Sequence, residues 1–259
     1  METDICPTLR VTEQDRREFE DTVATEYTLT IILNNQELVT LLCSPAKLEY
    51  LALGFLSSEN LIKSKGEIKE IILDEERGTV RVMTEETRES SRNIPSKQFI
   101  TSGGGRGTNL HNSATGKGQT QILSSQQIST PQVFALMEKF VQCSKIFKAT
   151  GGVHSAALCD TKEIIIFSED IGRHNAIDKI FGECFSEDIP LDNRIILTSG
   201  RVSSEIMLKV AKRNILILIS KSAPTNIGTQ LAEDSGMTLM GFVRGKRMNI
   251  CANSWRVTS

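Results

Sequence analysis

Apolar residues follow two periods along this chain, and the points where one period gives way to the other mark its elements. Residues 27–33 and 37–42 are short runs rich in Leu, Ile, Val and Thr, joined by Asn34-Asn35. They predict a hairpin, because Asn tolerates the positive φ that such a turn needs. Ser44-Pro45 then precedes Leu48, Leu51, Ala52, Phe55 and Leu56 at helical spacing. That stripe predicts a helix over 45–58, capped by Ser44, with Pro45 at its first position. Residues 68–73 and 79–83 predict a second hairpin. Residues 1–26 are polar with little periodicity, and a loosely held arm is expected there. Residues 84–98 are charged and polar, as a surface connector would be.

The second half alternates more regularly. Thr130-Pro131 starts a helix carrying Phe134, Leu136, Met137, Phe140 and Val141, and residues 153–159 and 164–167 predict a hairpin turning at 160–162. The second strand runs into E-D-I-G-R-H-N, and Ala176, Ile177, Ile180 and Phe181 then share one helical face. The same device recurs. A strand at 194–197, a turn with Gly200-Arg201 and a helix at 205–213 are followed by the apolar strand 215–219, S-K-S-A-P-T and a helix at 225–234. A last strand, 238–243, leads into R-G-K-R. Alternating strands and helices predict an α/β layer with part of its sheet parallel, and runs such as I-L-I-L-I fit a sheet covered on both faces.

In such sheets ligands bind beyond the carboxyl ends of the strands. The loops expected there carry Glu169, Asp170, Gly172, Arg173, His174 and Asn175; Ser199, Arg201, Ser203 and Ser204; Lys221, Ser222, Thr225 and Asn226; and Arg244, Lys246 and Arg247. Arginine forks and helix N-terminal amides are the donors that phosphate takes, so the inferred ligand is phosphorylated. A separate stretch, 101–118, is one-third glycine, with Arg106, His111 and Lys117 as its ionisable side chains. It either cradles a ligand or is merely mobile.

Charge and cysteine usage narrow the classes. At 259 residues with 39% hydrophobic content the chain can bury a substantial core, and its net charge of −2 gives no reason to expect nucleic acid as a partner. The acidic N-terminus lacks the features of a signal peptide and no apolar run suits a membrane span, so a cytoplasmic protein is expected. Cysteines 6, 43, 143, 159, 184 and 251 include no C-x-x-C pair, which argues for buried thiols over disulfides or a zinc knuckle. His174 fits a hydrogen-bonding site residue better than a metal ligand. His154 fits a core histidine and is followed by Ser155-Ala156, without the glutamate that a zinc deaminase needs. No metal site is expected.

The segments L-A-L-G-F-L-S-S-E, T-G-G-V-H-S-A-A-L, E-D-I-G-R-H-N-A-I-D-K, S-G-R-V-S-S-E-I, S-A-P-T and G-F-V-R-G-K-R together resemble, in order from about Tyr27 to Cys251, the FdhD family of formate dehydrogenase accessory sulfurtransferases. The resemblance implies a cytidine-deaminase-like C-terminal three-layer domain with a mixed sheet and without zinc, over 124–259. It also implies a smaller N-terminal α+β domain over 27–123, after the 1–26 arm. It implies a homodimer that binds the molybdenum bis(guanine dinucleotide) cofactor and passes it sulfur from a cysteine desulfurase before the cofactor enters formate dehydrogenase. The family's cofactor-binding segment maps onto Phe242, Val243, Arg244, Gly245, Lys246 and Arg247. One departure stands out. The family carries its sulfur on a cysteine of the glycine-rich loop, either in C-x-x-C or in G-C-G. Here Gly104 stands at the single-cysteine position, and Gly103 and Arg106 at the paired ones. Glycine cannot carry a persulfide, which needs a thiolate. Cys43 is the nearest substitute, though a buried thiol is the favoured reading of it. Two functions remain open: sulfur transfer with cofactor binding, and a cofactor-binding chaperone or scaffold without it.

Overall fold

The computed structural model of the chain describes residues 1–85, the backbone of 98–100, and residues 125–259. The glycine-rich stretch 101–118, with Gly103, Gly104, Arg106, His111 and Lys117, lies outside the described residues, as does most of the 84–98 connector.

The expected loose arm is instead a two-stranded sheet. Strands β1 (Thr3–Val11) and β2 (Arg16–Ala24) pair antiparallel from Thr3↔Ala24 to Val11↔Arg16. Ile5, Pro7, Leu9 and Val11 keep a period of two along β1, which the charge around them conceals. The next hairpin forms as expected, from β3 (Tyr27–Leu33) and β4 (Gln36–Cys43), with Asn34 and Asn35 at φ 49 and 63.

Helix α1 (Leu48–Ser58) starts later than residue 45, and Ser44 does not cap it. Lys47, in the left-handed region, is its N-cap, without a side-chain cap bond. Ser44 is occupied elsewhere: its N–H donates to Asp170 Oδ2 at 3.0 Å, and its hydroxyl accepts from the Ile171 N–H at 3.1 Å. A tertiary partner has outcompeted the local one. Strands β5 (Ile68–Asp74), β6 (Thr79–Thr84) and β7 (Gln98–Ile100) complete a five-stranded sheet, ordered β5-β6-β3-β4-β7. β7 runs parallel to β4, with Ile100 beside Leu41.

The larger layer begins at β8 (Ile128–Ser129) and α2 (Thr130–Cys143), whose start is a capping box between Ser129 and Gln132. It continues through α3 (Lys145–Thr150), β9 (His154–Cys159), β10 (Ile164–Asp170), α4 (Arg173–Ser186), β11 (Ile195–Thr198), α5 (Ser204–Ala211), β12 (Ile217–Ser220), α6 (Asn226–Asp234), β13 (Thr238–Arg244), β14 (Arg247–Ala252) and β15 (Val257–Thr258). β15 pairs with β8. The six-stranded sheet is ordered β10-β9-β11-β12-β13-β14. β9 and β14 run against their neighbours, so β10, β11, β12 and β13 point the same way and their carboxyl ends share one edge. One face packs on α4, α5 and α6 through Ile177, Ile206, Val210 and Ala232, and the other on α2 through Val133, Leu136 and Phe140. The sheet is mixed and lies in the middle of three layers.

α1 joins the two sheets. Nine of its eleven residues are buried, because one side covers the five-stranded sheet and the other lies against α4. Burial of Leu51, Phe55 and Leu56 contributes about 2 kcal/mol each. The helices touch backbone to backbone. A Cβ on Gly54 would fall 1.8 Å from the Asp178 carbonyl oxygen, and one on Gly182 would fall 1.7 Å from that of Tyr50. Neither position has room for any side chain. Gly182→Ala should therefore lower the free energy of unfolding by about 3 kcal/mol, read as an earlier midpoint in urea denaturation; an unmoved midpoint would disprove the contact.

Candidate functional site

The turn after β10 divides between structure and surface. Asp170 is fully buried. Its carboxylate accepts from Ser44 N–H (3.0 Å), Gly172 N–H (2.8 Å) and Asn175 Nδ2 (2.9 Å), and pairs with the buried Lys179 Nζ at 2.7 Å. Asn175 Nδ2 also donates to the Leu42 carbonyl at 2.8 Å, and Lys179 to that of Ser44 at 3.1 Å. These bonds clamp the end of β4 onto the six-stranded sheet. Asp170, Gly172 and Asn175 thus lie within a cross-sheet joint. Glu169 accepts from the N–H groups of Ile146 and Phe147, both at 3.0 Å, and so holds the start of α3.

Cys43 lies inside this joint with no exposed surface. Burial first, and then the charge of Asp170, push its thiol up to about 12, with Lys179 opposing. At neutral pH it is a protonated thiol, unsuited to nucleophilic chemistry.

Arg173 and His174 open α4. A Cβ on Gly200 would lie 2.9 Å from Arg173 Cβ, so the arginine stem packs directly on Gly200 of the 199–203 turn. His174 Nε2 is 3.0 Å from Glu205 Oε2 in the first turn of α5. Burial lowers the pKa of His174, and the nearby Lys209 and Arg173 add to that against the pull of Glu205. Burial likewise lowers the pKa of His154, followed by the charges of Arg173 and Arg201. His154, Arg173, His174 and Arg201 are therefore neighbours.

A cleft of about 660 Å³ opens on the α2 side of the same edge. Phe140, Val141, Phe147 and Val153 supply apolar walls, and Ser144, Ser155, Ser199, Ser222, Lys148, Lys221, His154 and Arg244 supply polar ones. Among the described residues no carboxylate lines it. Lys221 Nζ stands 5.5 Å from the Phe147 ring centroid, and Arg244 Nε donates to the Lys221 carbonyl at 3.1 Å. Of the residues singled out from sequence, His154, Ser199, Lys221, Ser222 and Arg244 line this cleft. Thr225 caps α6 by accepting from the Gly228 N–H at 3.1 Å. Val243 is buried in the core, whereas Phe242, with φ 55, is part-exposed. Gly245, with φ 57, and Lys246 form the two-residue turn between paired Arg244 and Arg247.

Sequence reasoning missed Phe147 and Lys148. Their helix is six residues long, too short for a periodic signal, although the glycine pair after it marked its end. Among the described residues no group of three or more His, Cys, Asp or Glu comes together to hold a metal ion, and no helix is long and apolar enough to cross a membrane.

Known proteins are similar to this chain in sequence and in fold. The profile of the FdhD/NarQ family matches residues 24–258. The "Sulfur carrier protein FdhD" of Listeria innocua is 41% identical over 244 residues, which cover 93% of this chain and 94% of its own length. Its namesake from Bacillus pumilus is 42% identical over 238 residues, with coverage of 92% and 91%. A Desulfotalea psychrophila crystal structure, assigned as a formate dehydrogenase accessory protein, superimposes with a TM-score of 0.79 at 24% identity. It covers 98% of this chain and 99% of its own, a likeness of fold.

Iodoacetamide at about pH 8 should alkylate the exposed Cys6 of the native protein and spare Cys43, as read by peptide mass mapping; equal modification of the two would show that the clamp opens freely.

Proposed function

Because the chain belongs to the FdhD/NarQ family, we propose that it is an accessory protein of formate dehydrogenase maturation that binds the molybdenum bis(guanine dinucleotide) cofactor as cargo. The observation that carries this reading is the cleft: about 660 Å³, walled by aromatic rings, and rimmed by Lys148, Lys221 and Arg244 with no acid among them. Such a lining offers a ring face to a base and donors to phosphates, the two parts of a nucleotide end. Phe242, Lys246 and Arg247 lie on the strand and turn next to Arg244, where they extend the same surface. We read residues 124–259 as the cytidine-deaminase-like unit and 27–123 as the smaller one. We place the protein in the cytoplasm as a homodimer, working between a cysteine desulfurase and formate dehydrogenase.

For sulfur, we favour binding and presentation of the cofactor without a persulfide on this chain. By the family resemblance, Gly104, or Gly103 and Arg106, take the place of the family's cysteines. Burial raises the thiols of Cys43 and Cys184 to about 12 and also raises that of Cys159. None of the three supplies a thiolate near neutral pH. The competing reading, sulfur carriage through another cysteine, is favoured by the exposure of Cys6. Incubation with a cysteine desulfurase and cysteine, followed by intact-mass measurement, separates the two. No gain is expected, and a gain of one sulfur atom that maps to a cysteine of this chain would establish sulfur carriage.

Cofactor binding is tested by titrating guanosine diphosphate. Arg244→Ala and Lys221→Ala should each weaken binding about tenfold or more, the loss of one charge-assisted contact. Lys162→Ala, on the turn between β9 and β10, should leave it unchanged. Absence of binding, or equal losses in all three variants, would overturn the nucleotide reading.

A further inference from the structure

The starts of α4 and α5 lie side by side, and several of the buried polar atoms there have no hydrogen-bond partner. α4 begins after Gly172, which has no side chain to cap it, and α5 begins after Ser203, whose hydroxyl makes no cap bond. The two helix ends are held together by the Arg173 stem on Gly200 and by the His174–Glu205 contact. Both helices are long enough to carry a useful dipole, and their first N–H groups lie at neighbouring ends.

Four buried polar atoms there lack hydrogen bonds: Arg173 Nε, Ser203 Oγ and both ring nitrogens of His174, of which Nε2 keeps only its contact with Glu205. His174 is 94% removed from solvent, at 6% exposure, so bulk water does not reach its nitrogens. Buried polar atoms are almost always satisfied, and a cluster that is not marks a place for a polar ligand. Neither Arg173 nor Arg201 has a carboxylate within salt-bridge distance among the described residues. Two guanidinium groups, a hydroxyl and two helix N-termini suit a tetrahedral oxyanion.

The histidine adds a requirement. Its Nε2 sits 3.0 Å from the Glu205 carboxylate, off the line of a full hydrogen bond but close enough to hold the ring proton on that side. Burial keeps the ring neutral. Nδ1 is then an acceptor and needs a donor from the ligand. Hydrogen phosphate has one O–H to give and three oxygens to receive. Sulfate is the same size and charge but has no proton.

We propose that the paired starts of α4 and α5 bind free hydrogen phosphate, with its O–H donated to His174 Nδ1 and its other oxygens taken by Arg173, Ser203, Arg201 and the helix amides. These residues belong to the strand-end loops that the sequence assigns to a phosphorylated ligand; the inference differs in giving them a free anion and in using none of the aromatic cleft.

The test is calorimetric titration of the full chain with sodium phosphate and with sodium sulfate at constant ionic strength. Phosphate is expected to bind at least about tenfold more tightly than sulfate, one hydrogen bond's worth of discrimination. Arg201→Ala, at the surface, and Ser203→Ala, a change of one atom, should each weaken phosphate about tenfold, and Lys221→Ala should not. His174→Gln should reduce the preference over sulfate, with circular dichroism confirming that it folds. Equal affinity for the two anions, no phosphate binding, or a loss in Lys221→Ala matching that in Arg201→Ala would overturn the proposal. Repeating the titration with saturating guanosine diphosphate identifies the source. Unchanged phosphate affinity supports a separate site; displacement would assign these residues to the nucleotide's own terminal phosphate and overturn the free-anion site.

Discussion

The contact between α1 and α4 is the constraint on which everything else depends. Two glycines allow the helix backbones to touch, and no other residue fits at either position. Once the helices are this close, their polar groups lose water and must find each other. Asp178 takes Lys209 at 2.6 Å and the Ser58 hydroxyl at 2.9 Å, while Asp170 takes Lys179 and the end of β4. A buried ion pair adds little net stability over an apolar pair of the same shape, yet either partner left alone would cost several kcal/mol. The pairs therefore act less as glue than as a check on alignment: a shifted α1 would leave a charge without its counter-ion.

This joint also creates the electrostatics of the binding edge. The chain as a whole is close to neutral. Near the edge, however, its acids are consumed by the fold. Asp170 is spent on the clamp, Glu169 on the start of α3 and Asp178 on Lys209. What remains facing the open space is Arg173, Arg201, Lys148, Lys221 and Arg244. A positive surface arises here by subtraction, without an excess of basic residues in the sequence.

Local signals in the sequence were reliable wherever the local interaction survives folding. Asn34-Asn35 turns as its φ preference requires, the helix expected over 225–234 forms as α6, and the apolar run at 215–219 contains a central strand, because nothing distant competes at those places. Ser44 was misread for the opposite reason. Its neighbour in space is Asp170, and a buried carboxylate in need of donors outweighs a helix end that the left-handed Lys47 can start. The motif E-D-I-G-R-H-N was legible as important but not as divided. Nothing in the letters says that Asp170 and Asn175 face the joint while Arg173 reaches the rim, since that depends on how β4 ends against it. The β1–β2 ribbon was hidden by its charges, which mask a period of two in a strand with no buried face.

The Ser44–Asp170 bond joins residues 126 positions apart. Such a link closes a very long loop, and it exists only after β4 and β10 have each found their own sheets. The order of assembly follows. Both sheets can begin to form from nearer contacts, but the turn that presents Arg173 and His174 has no fixed direction until the clamp shuts. A chain whose sheets have formed but whose clamp is open therefore differs from the finished one mainly at this edge, where Arg173 and His174 take their places only once Ser44 and Asp170 have met.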